Sequence, residues 1–326
     1  MSAQAEASVQ AVANAGGGET PAVMAAVEGR MVELAGQHGD QLGRYAAATI
    51  AAGGKRLRPL LVCVSSGVPV VRSEQLVRAA VAVELIHAAT LVHDDVLDDA
   101  ALRRGRPTVY ASGGRLMATA TGDLLLSRAF HELAAGGVLA PVQVLSRAAA
   151  ELAAGELMQR GDGWDMSLSL ERYLERCRLK TGVLFRASCE LGALSGDGPV
   201  EPLARFGESV GIAFQLLDDV LDVSGPPERT GKPRGTDLLD GTVTLPLIEA
   251  MRRDRELAEL DLRSVRTTEQ AAAVCDAIAE TGALGVVRTR ALEWVAGAKA
   301  VLPASLGEAQ RVTLELVADG VVERYS

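Results

Sequence analysis

Apolar residues recur every three or four positions along most of the chain, which is the spacing of an amphipathic or buried α-helix. The segments that show it most clearly are 24–42, 74–92, 122–133, 142–159 and 170–191. Glycine and proline mark the breaks, at 53–54, 59, 67–69, 113–114, 161–163, 196–199 and 225–227. No stretch alternates with period two for more than a few residues. The pattern predicts one all-α domain over residues 21–326, after a loosely attached tail at 1–20.

The composition supports helices around a packed core. Hydrophobic residues make up 48% of the 326 residues and aromatic residues only 3%, whereas β-sheets usually draw on aromatic and β-branched side chains. The longest apolar run, 79–92, is interrupted by Glu84 and His87. It is too short and too polar for a membrane span, which needs about 20 apolar residues. We therefore expect no stable membrane insertion.

Charge and cysteine usage exclude further classes of protein. The formal net charge is −9, with 33 basic and 42 acidic side chains, which argues against a nucleic-acid partner. The four cysteines lie far apart without a CxxC pair, as is usual in a reducing compartment. The first residues carry neither a basic n-region nor an apolar h-region. We therefore expect a cytoplasmic protein.

The first chemical signal is a cluster of carboxylates that follows the apolar segment 74–92. Residues 91–99 read Leu-Val-His-Asp-Asp-Val-Leu-Asp-Asp. On a helix, Asp94 and Asp98 share a face, with Asp95 beside them. Carboxylates at this spacing repel each other, so the arrangement costs stability unless a cation binds there.

The same Asp-Asp-x-x-Asp pattern returns at Asp218, Asp219 and Asp222, again after an apolar helix. One such cluster is usually a solvated helix end, but two clusters on nearly unbroken apolar helices indicate that both line a shared cavity. Carboxylate oxygens select Mg²⁺, Mn²⁺ or Ca²⁺ over zinc, and Mg²⁺ commonly bridges carboxylates to substrate phosphates. The sequence therefore predicts a divalent-cation site for a phosphorylated substrate.

Basic residues cluster at several places around the two aspartate motifs. Residues 53–59 read GGKRLRP, and residues 102–107 read LRRGRP directly after the first motif. Lys180 lies near an expected helix break, and Lys232 follows the second motif. Lysine and arginine bind phosphate oxygens directly. Together these clusters suit a ligand pair with two anionic groups, one held through metals and the other by basic side chains alone.

In this order, the motifs resemble those of the trans-isoprenyl diphosphate synthases, or polyprenyl synthetases. The matching blocks are GGKRLRP, ELIHAATLVHDDVLDDA, LRRGRPTV, GDLLLSRAF, GELMQ, LERCRLKTG, FQLLDDVLD and GKPRGTDLLDGTVTLPLI. The resemblance implies a single-domain helical bundle of the isoprenoid synthase type with a central active-site cavity. It also implies a homodimer that joins isopentenyl diphosphate to an allylic diphosphate. Three Mg²⁺ ions per active site are implied, with Mn²⁺ as a substitute.

The resemblance assigns roles residue by residue. The implied metal ligands are Asp94, Asp95, Asp98, Asp218, Asp219 and Asp222. The implied contacts of the allylic diphosphate are Arg103, Lys180 and Lys232. The implied metal-free site for isopentenyl diphosphate consists of Lys55, Arg58, His87 and Arg104. Thr181 and Gln215 are expected near the carbocation that forms when the diphosphate leaves, and with the two lysines they are the expected catalytic residues.

Positions just before the first motif set the expected product length. In the family, bulky aromatic residues four or five positions before the first aspartate stop chain growth, but here these positions are Ala89 and Thr90. Ile86 and Leu85, further along this face, are not aromatic either. One helical turn of about 5.4 Å is close to one isoprene unit. We therefore expect a linear product longer than C20, while the primer and the downstream pathway are left open.

One departure and three alternatives accompany this interpretation. Thr242 stands where the family often has a lysine, which weakens one implied diphosphate contact. A farnesyl or geranylgeranyl diphosphate synthase is the alternative with a shorter product. A class I terpene cyclase also ionises allylic diphosphates, but the basic residues of the second site favour elongation. A non-catalytic subunit is disfavoured because both aspartate motifs are complete.

Overall fold

The computed structural model describes residues 20–37, 41–54, 56–67, 74–103, 105–196, 198–226 and 233–323. The first nine helices are α1 Thr20–Gly36, α2 Gln41–Ala51, α3 Leu57–Ser66, α4 Glu74–Leu97, α5 Val109–Ala135, α6 Leu139–Gly161, α7 Leu170–Cys177, α8 Val183–Ser195 and α9 Val200–Ser224. The remaining helices are α10 Thr236–Leu239, α11 Leu245–Met251, α12 Arg255–Ala258, α13 Thr268–Glu280, α14 Ala283–Ala300 and α15 Glu308–Glu323. The predicted all-α class is confirmed. Residues 1–19 of the expected tail lie outside the described residues.

Helix α4 is the central helix of the first half of the chain. Its residues Ala80 to Val83 are fully buried on every side, which explains why the sequence is apolar all round rather than on one stripe. The helix has 24 residues and could cross a membrane by length and composition, but 67% of its most apolar window is buried inside the protein. Helices α13 and α14 meet the same criterion only together, as a pair bent by 72°.

Helices α7 and α8 form one continuous rod joined by a π-helical turn, Arg178–Gly182. The amide of Val183 bonds the carbonyl of Arg178, five residues earlier. The sequence predicts a break near this place, but the helix widens by one residue instead of ending. Such turns occur often at functional sites, and this one carries Lys180 and Thr181.

Glycines let two neighbouring helices approach the π-helical turn. A Cβ atom on Gly155 of α6 would come within 2.7 Å of the Leu179 Cβ, and one on Gly211 of α9 within 2.8 Å of the Gly182 Cα. Real Cβ atoms essentially never come this close. The two glycines therefore bring α6 and α9 against the turn, and α9 carries the second aspartate motif.

A short hairpin follows α4. Strands β1 Leu102–Arg103 and β2 Arg106–Pro107 pair antiparallel, with Leu102 opposite Pro107. Gly105 has φ 72°, a turn conformation that glycine adopts without a steric penalty. Period-two alternation does not predict this hairpin, because a strand of two residues is too short to show a period. The hairpin turns Arg103 back toward the end of α4.

Several helix boundaries differ from the sequence prediction. The predicted segment 24–42 is divided between α1 and α2, and the glycine pair 113–114 kinks α5 at Gly114, where φ is 77°, without ending it. Pro59 does not break a helix, since it lies in the first turn of α3, where its missing N–H is not needed. The other breaks fall where glycine and proline predict them.

Candidate active site

Asp94 and Asp98 stand at the carboxyl end of α4 and interact with α6. Arg160 donates hydrogen bonds to Asp98 at 2.5 Å and to Glu156 at 3.0 Å. Burial raises the pKa of Asp94 to about 6; Lys180 opposes this shift, while Glu156 and Asp98 add to it. The two aspartates therefore share the face that their spacing predicts. Above about pH 6 Asp94 therefore carries a negative charge that its surroundings only partly compensate.

Asp95 turns to the other side of α4, toward the hairpin. It is 4% exposed, and the Nε of Arg103 donates to its Oδ1 at 2.7 Å. Burial raises the pKa of Asp95, and Arg103 offsets part of that rise. The structure thus divides the first motif into two carboxylates that face α6 and one that holds Arg103.

Asp219 is the most enclosed carboxylate of the second motif. It is 3% exposed, and it accepts hydrogen bonds from the Tyr173 hydroxyl at 2.6 Å and from the Gln215 amide at 2.8 Å. The Thr181 hydroxyl donates to Gln215 Oε1 at 2.6 Å, so both ends of the amide are engaged. Burial raises the pKa of Asp219 to about 6; the bonds from Tyr173 and Gln215 lower it, and Asp218 raises it further.

Asp222, near the carboxyl end of α9, accepts hydrogen bonds from the segment that contains Gly235 and Asp237. Its Oδ2 accepts a hydrogen bond from the Asp237 amide at 3.2 Å, and its carbonyl accepts one from the Gly235 amide at 2.9 Å. The chain therefore returns across the end of the helix after residues 227–232. Lys232, an expected diphosphate contact, belongs to this connection and lies outside the described residues.

Lys180 lies between the two aspartate motifs. Its Nζ is 2.7 Å from Glu156 Oε2, and its charge lowers the pKa of Asp94 on one side. On the other side it lines a cavity of about 150 Å³ together with Asp219. The other residues around this cavity are Gln159, Tyr173, Arg176, Cys177, Gln215, Asp237, Thr242 and Thr244. The π-helical turn thus places one ammonium group between carboxylates of both motifs.

A second, larger cavity of about 380 Å³ lies between α2, α4 and the hairpin. His87, which is expected in the metal-free site, and Arg103, which is expected to contact the allylic diphosphate, both line it together with Asp95. Much of the remaining wall is apolar: Ala48, Ala51, Ala52, Ala88, Leu91, Val92, Pro107 and Val109. Lys55 and Arg104, two expected residues of the metal-free site, lie outside the described residues.

Arg58, the other expected residue of the metal-free site, turns inward. Its guanidinium lies over the ring of Phe185 on α8, with 4.9 Å between its Cζ and the ring centroid. Burial lowers the pKa of Arg58 to about 10, and Glu84 partly opposes this shift. The structure therefore brings His87 and Arg103 to one cavity but places the Arg58 guanidinium against α8.

The ion-pair network that supports the larger cavity does not follow from the sequence motifs. Arg56 pairs with Glu84 of α4 at 2.8 Å and also binds Glu28 of α1. Its backbone has φ 48°, a left-handed conformation uncommon outside glycine. Glu84 was the available signal, because a carboxylate inside a buried apolar helix needs a partner.

The expected chain-length residues belong to the core beside α5. Leu85, Ile86 and Ala89 are at most 1% exposed, and they share a hydrophobic cluster with Leu125 and Ala129 of α5. Thr90 is half-buried, and its hydroxyl donates to the His87 carbonyl at 2.9 Å. These side chains are small or aliphatic, and they stand on a different face of α4 from the one that lines the larger cavity.

The aspartates fit Mg²⁺ held jointly by protein and substrate. Among the described residues, no three His, Cys, Asp or Glu side chains form a group that could hold a metal ion alone. Mg²⁺ commonly takes only one or two carboxylates and completes its shell with water and substrate phosphates. The raised pKa values of Asp94 and Asp219 mark carboxylates that a divalent cation would stabilise in their charged form.

Comparisons with known proteins agree on one family. A family model described as polyprenyl synthetase matches residues 40–281. Heptaprenyl diphosphate synthase component 2 of Geobacillus stearothermophilus is 41% identical over 266 residues, 80% of this chain and 83% of that protein. Geranylgeranyl diphosphate synthase of Methanosarcina mazei is 33% identical over 293 residues, 87% of this chain and 90% of that protein. The crystal structure of polyprenyl synthase from Caulobacter crescentus CB15, complexed with calcium and isoprenyl diphosphate, matches with a TM-score of 0.87 and 34% identity, covering 98% of each chain.

Proposed function

Given that the chain belongs to the polyprenyl synthetase family and is a trans-prenyltransferase, we propose a magnesium-dependent synthesis of a linear polyprenyl diphosphate longer than C20. The C–O bond of an allylic diphosphate breaks, the double bond of isopentenyl diphosphate attacks the resulting cation, and a proton is lost. The observation that carries the proposal is the position of Lys180 on the π-helical turn, between Asp94 of one motif and Asp219 of the other.

The side chains around the π-helical turn have distinct tasks in this reaction. Asp94, Asp98 and the aspartates of α9 would hold Mg²⁺, which when bound supplies Lewis-acid neutralisation of the leaving diphosphate. Lys180 adds a fixed positive charge on the same side, where it stabilises developing negative charge. The Thr181 hydroxyl donates its hydrogen to Gln215. Its oxygen therefore has only lone pairs left to interact with a nearby cation.

The larger cavity suits the second substrate. Its walls are largely apolar, which fits a five-carbon chain, and His87, Arg103 and Arg106 are among its polar lining residues. Arg56 is engaged by Glu28 and Glu84, so we assign the diphosphate of this substrate to His87 and the basic residues of the neighbouring loops. Asp95 supports this arrangement by orienting Arg103.

The product length proposal rests on the side chains of α4. Ala89 leaves more room than an aromatic residue would, and Ile86 and Leu85 continue the same aliphatic surface. The 41% identical relative is named a heptaprenyl diphosphate synthase, whereas the 33% identical archaeal relative is named for geranylgeranyl diphosphate. Both facts favour a product longer than C20 for this chain.

We further propose that the chain is active as a homodimer. Two relatives carry the name component 2 of a heptaprenyl diphosphate synthase, so a second, different subunit is the competing arrangement. Mass photometry of the purified chain, combined with an activity assay on the same sample, separates the two. Turnover by a dimer of this chain alone supports the homodimer, and turnover only after addition of another subunit contradicts it.

Product analysis tests the reaction itself. The purified protein is incubated with Mg²⁺, isopentenyl diphosphate and, in separate samples, dimethylallyl, geranyl, farnesyl and geranylgeranyl diphosphate, and dephosphorylated products are identified by mass. A ladder that ends beyond C20 is the expected result. A ladder that ends at C15 or C20 keeps the reaction but contradicts the length. Cyclic hydrocarbon formed without isopentenyl diphosphate indicates a cyclase instead.

A further inference from the structure

Arg176 on α7 is a buried cation whose hydrogen-bonding capacity is only partly used. Only 3% of Arg176 is exposed to solvent. One terminal nitrogen, Nη2, donates to the backbone carbonyl of Val243, and the guanidinium lies 5.5 Å from the ring centroid of Tyr173. The other terminal nitrogen, Nη1, is buried and has no hydrogen-bond partner among the described residues. Native structures rarely keep a buried charged donor unpaired unless a ligand or water completes it.

The cavity that Arg176 lines brings cations and hydroxyl groups together beside the carboxylates of Asp219 and Asp237. It contains a second cation, Lys180, and two hydroxyl side chains, Thr242 and Thr244. Val243 lies between the two threonines in the sequence, so the bond from Arg176 to its carbonyl also holds that wall of the cavity. Asp219 lines the same cavity, and Arg176 favours its charged form. Arg176 therefore adds positive charge beside a proposed metal ligand.

We propose that Arg176 is a further diphosphate-binding residue, whose guanidinium donates a hydrogen bond to an oxygen of the allylic diphosphate. This inference rests on the proposed function and adds a residue to the same site. The planar guanidinium can bind a phosphate oxygen through one nitrogen while another stays on the protein. Its charge is supplied on the side of the cavity where Thr242 offers only a hydroxyl group.

A purely structural role is the competing explanation. In that case Arg176 serves only to join α7 to the segment around Val243. Its replacement would then lower the melting temperature without a specific loss of diphosphate affinity. The two explanations therefore predict different affinities for diphosphate, and a measurement of stability alone does not separate them.

Calorimetric titration with inorganic diphosphate in the presence of Mg²⁺ makes that measurement. Arg176→Met keeps much of the apolar stem but removes the charge and the donors, and we expect it to weaken binding about tenfold or more. Arg172→Met is the matched control on the same helix, because Arg172 pairs with Asp162 at 3.0 Å and is half exposed. Its affinity should stay within about twofold of the wild type, since it is engaged outside the cavity.

A lysine introduced into the same cavity provides a gain-of-function test. Thr242→Lys in the Arg176→Met background should recover most of the lost affinity, because a lysine at 242 can supply charge to the same anion. Equal affinities of the Arg176→Met and Arg172→Met proteins overturn the proposal, and so does a loss that Thr242→Lys leaves unchanged. Arg176→Gln, which keeps a donor for the Val243 carbonyl, replaces Arg176→Met if the latter does not fold, and unchanged affinity in it also overturns the proposal.

Prenyl transfer assays distinguish failure of this inference from failure of the proposed function. A wild-type protein that elongates allylic diphosphates, together with an Arg176→Met protein that binds diphosphate normally, overturns the role of Arg176 alone. A wild-type protein without turnover on any primer contradicts the proposed function. A specific loss of diphosphate binding at Arg176 would still support the anion site.

Discussion

Gly211 on α9 lies against Gly182 of the π-helical turn, so closely that a Cβ on Gly211 would come within 2.8 Å of the Gly182 Cα. The next nearest atoms to that Cβ belong to Phe185, at 3.0 Å. This contact sets the separation between the helix that carries Asp219 and the turn that carries Lys180. The geometry of the candidate site therefore depends on two positions without side chains.

Gly211→Ala should weaken both stability and activity. The new methyl group must push α9 away from the turn, and overpacking of this kind typically costs about 1–3 kcal/mol. Gly285→Ala in α14 is the control, because nothing lies within 4 Å of a Cβ there and alanine favours a helix over glycine by about 1 kcal/mol. Chemical denaturation and kcat/KM of both variants check the prediction. Equal stability and activity of the two alanine variants would contradict it.

Asp94→Asn should stabilise the metal-free protein above pH 6. Burial raises the pKa of Asp94 from 3.8 to about 6, so the folded state binds the proton more tightly than the unfolded state. The free energy of unfolding contributed by this group therefore falls as the pH rises from about 4 to about 6 and stays low above that. Asparagine carries no charge to bury, and we expect a gain of about 1–3 kcal/mol at pH 7.5.

Denaturant titrations in EDTA at pH 4 and pH 7.5 measure this effect. At pH 4, the wild type and Asp94→Asn should differ little, because the wild-type carboxyl is then largely protonated in the folded state. Asp123→Asn, at an exposed carboxylate of α5, is the control and should show no comparable gain. Added Mg²⁺ should stabilise the wild type more than Asp94→Asn. A variant that is less stable than the wild type at pH 7.5 without metal contradicts the prediction.

The sequence anticipates this site unevenly, and the reason is physical. The spacing of Asp94 and Asp98 places both on one helix face, because local helix geometry alone decides it. The partner of Asp95 does not follow from spacing, since Arg103 reaches it only through a hairpin too short to show a strand pattern. Local patterns therefore locate the carboxylates but not the cations that meet them.

The π-helical turn and the buried side chains around it are harder to predict from the sequence than the aspartate motifs. A single extra residue in a helical turn changes no hydrophobic period enough to be noticed over a continuous apolar segment. Tyr173 and Arg176 on α7 are separated from Asp219 on α9 by the π-helical turn and α8, and only tertiary packing brings them together. Glu84 was a usable sign, but its partner Arg56 could equally have been another basic residue of the loop before α3.

Tyr173→Phe should shift the acid limb of the pH–rate profile to higher pH. The Tyr173 hydroxyl donates to Asp219 and lowers its pKa, while burial keeps it near 6. Removing the hydroxyl leaves the burial and takes away one of two hydrogen bonds, so Asp219 holds its proton to a higher pH. A hydrogen bond to a charged group contributes about 1.5–3 kcal/mol, and we expect about a tenfold loss of kcat/KM at pH 6.5 that shrinks at pH 8.5.

The matched control for this variant is Tyr110→Phe. The Tyr110 hydroxyl also donates to an aspartate, Asp99, but on the exposed side of the first motif. Its removal should leave the position of the acid limb unchanged. Rate profiles of the wild type and the two variants, recorded from pH 5.5 to pH 9, compare the three. A uniform loss of rate at every pH in Tyr173→Phe would show that the tyrosine acts only through packing.

Ala89→Phe should shorten the product. Ala89 is 1% exposed and shares its core cluster with Ile86 and Leu125, so a phenyl ring there occupies the space that the proposed product path would need. Overpacking costs about 1–3 kcal/mol, and thermal unfolding of the variant must confirm that it folds.

The neighbouring substitution Ala88→Phe is the control, because Ala88 lines the larger cavity on the other face of α4. It should raise the KM for isopentenyl diphosphate and leave the product length unchanged, whereas Ala89→Phe should end the ladder at least one isoprene unit earlier. Identical product ladders from the folded Ala89→Phe protein and the wild type would show that the growing chain does not pass this residue.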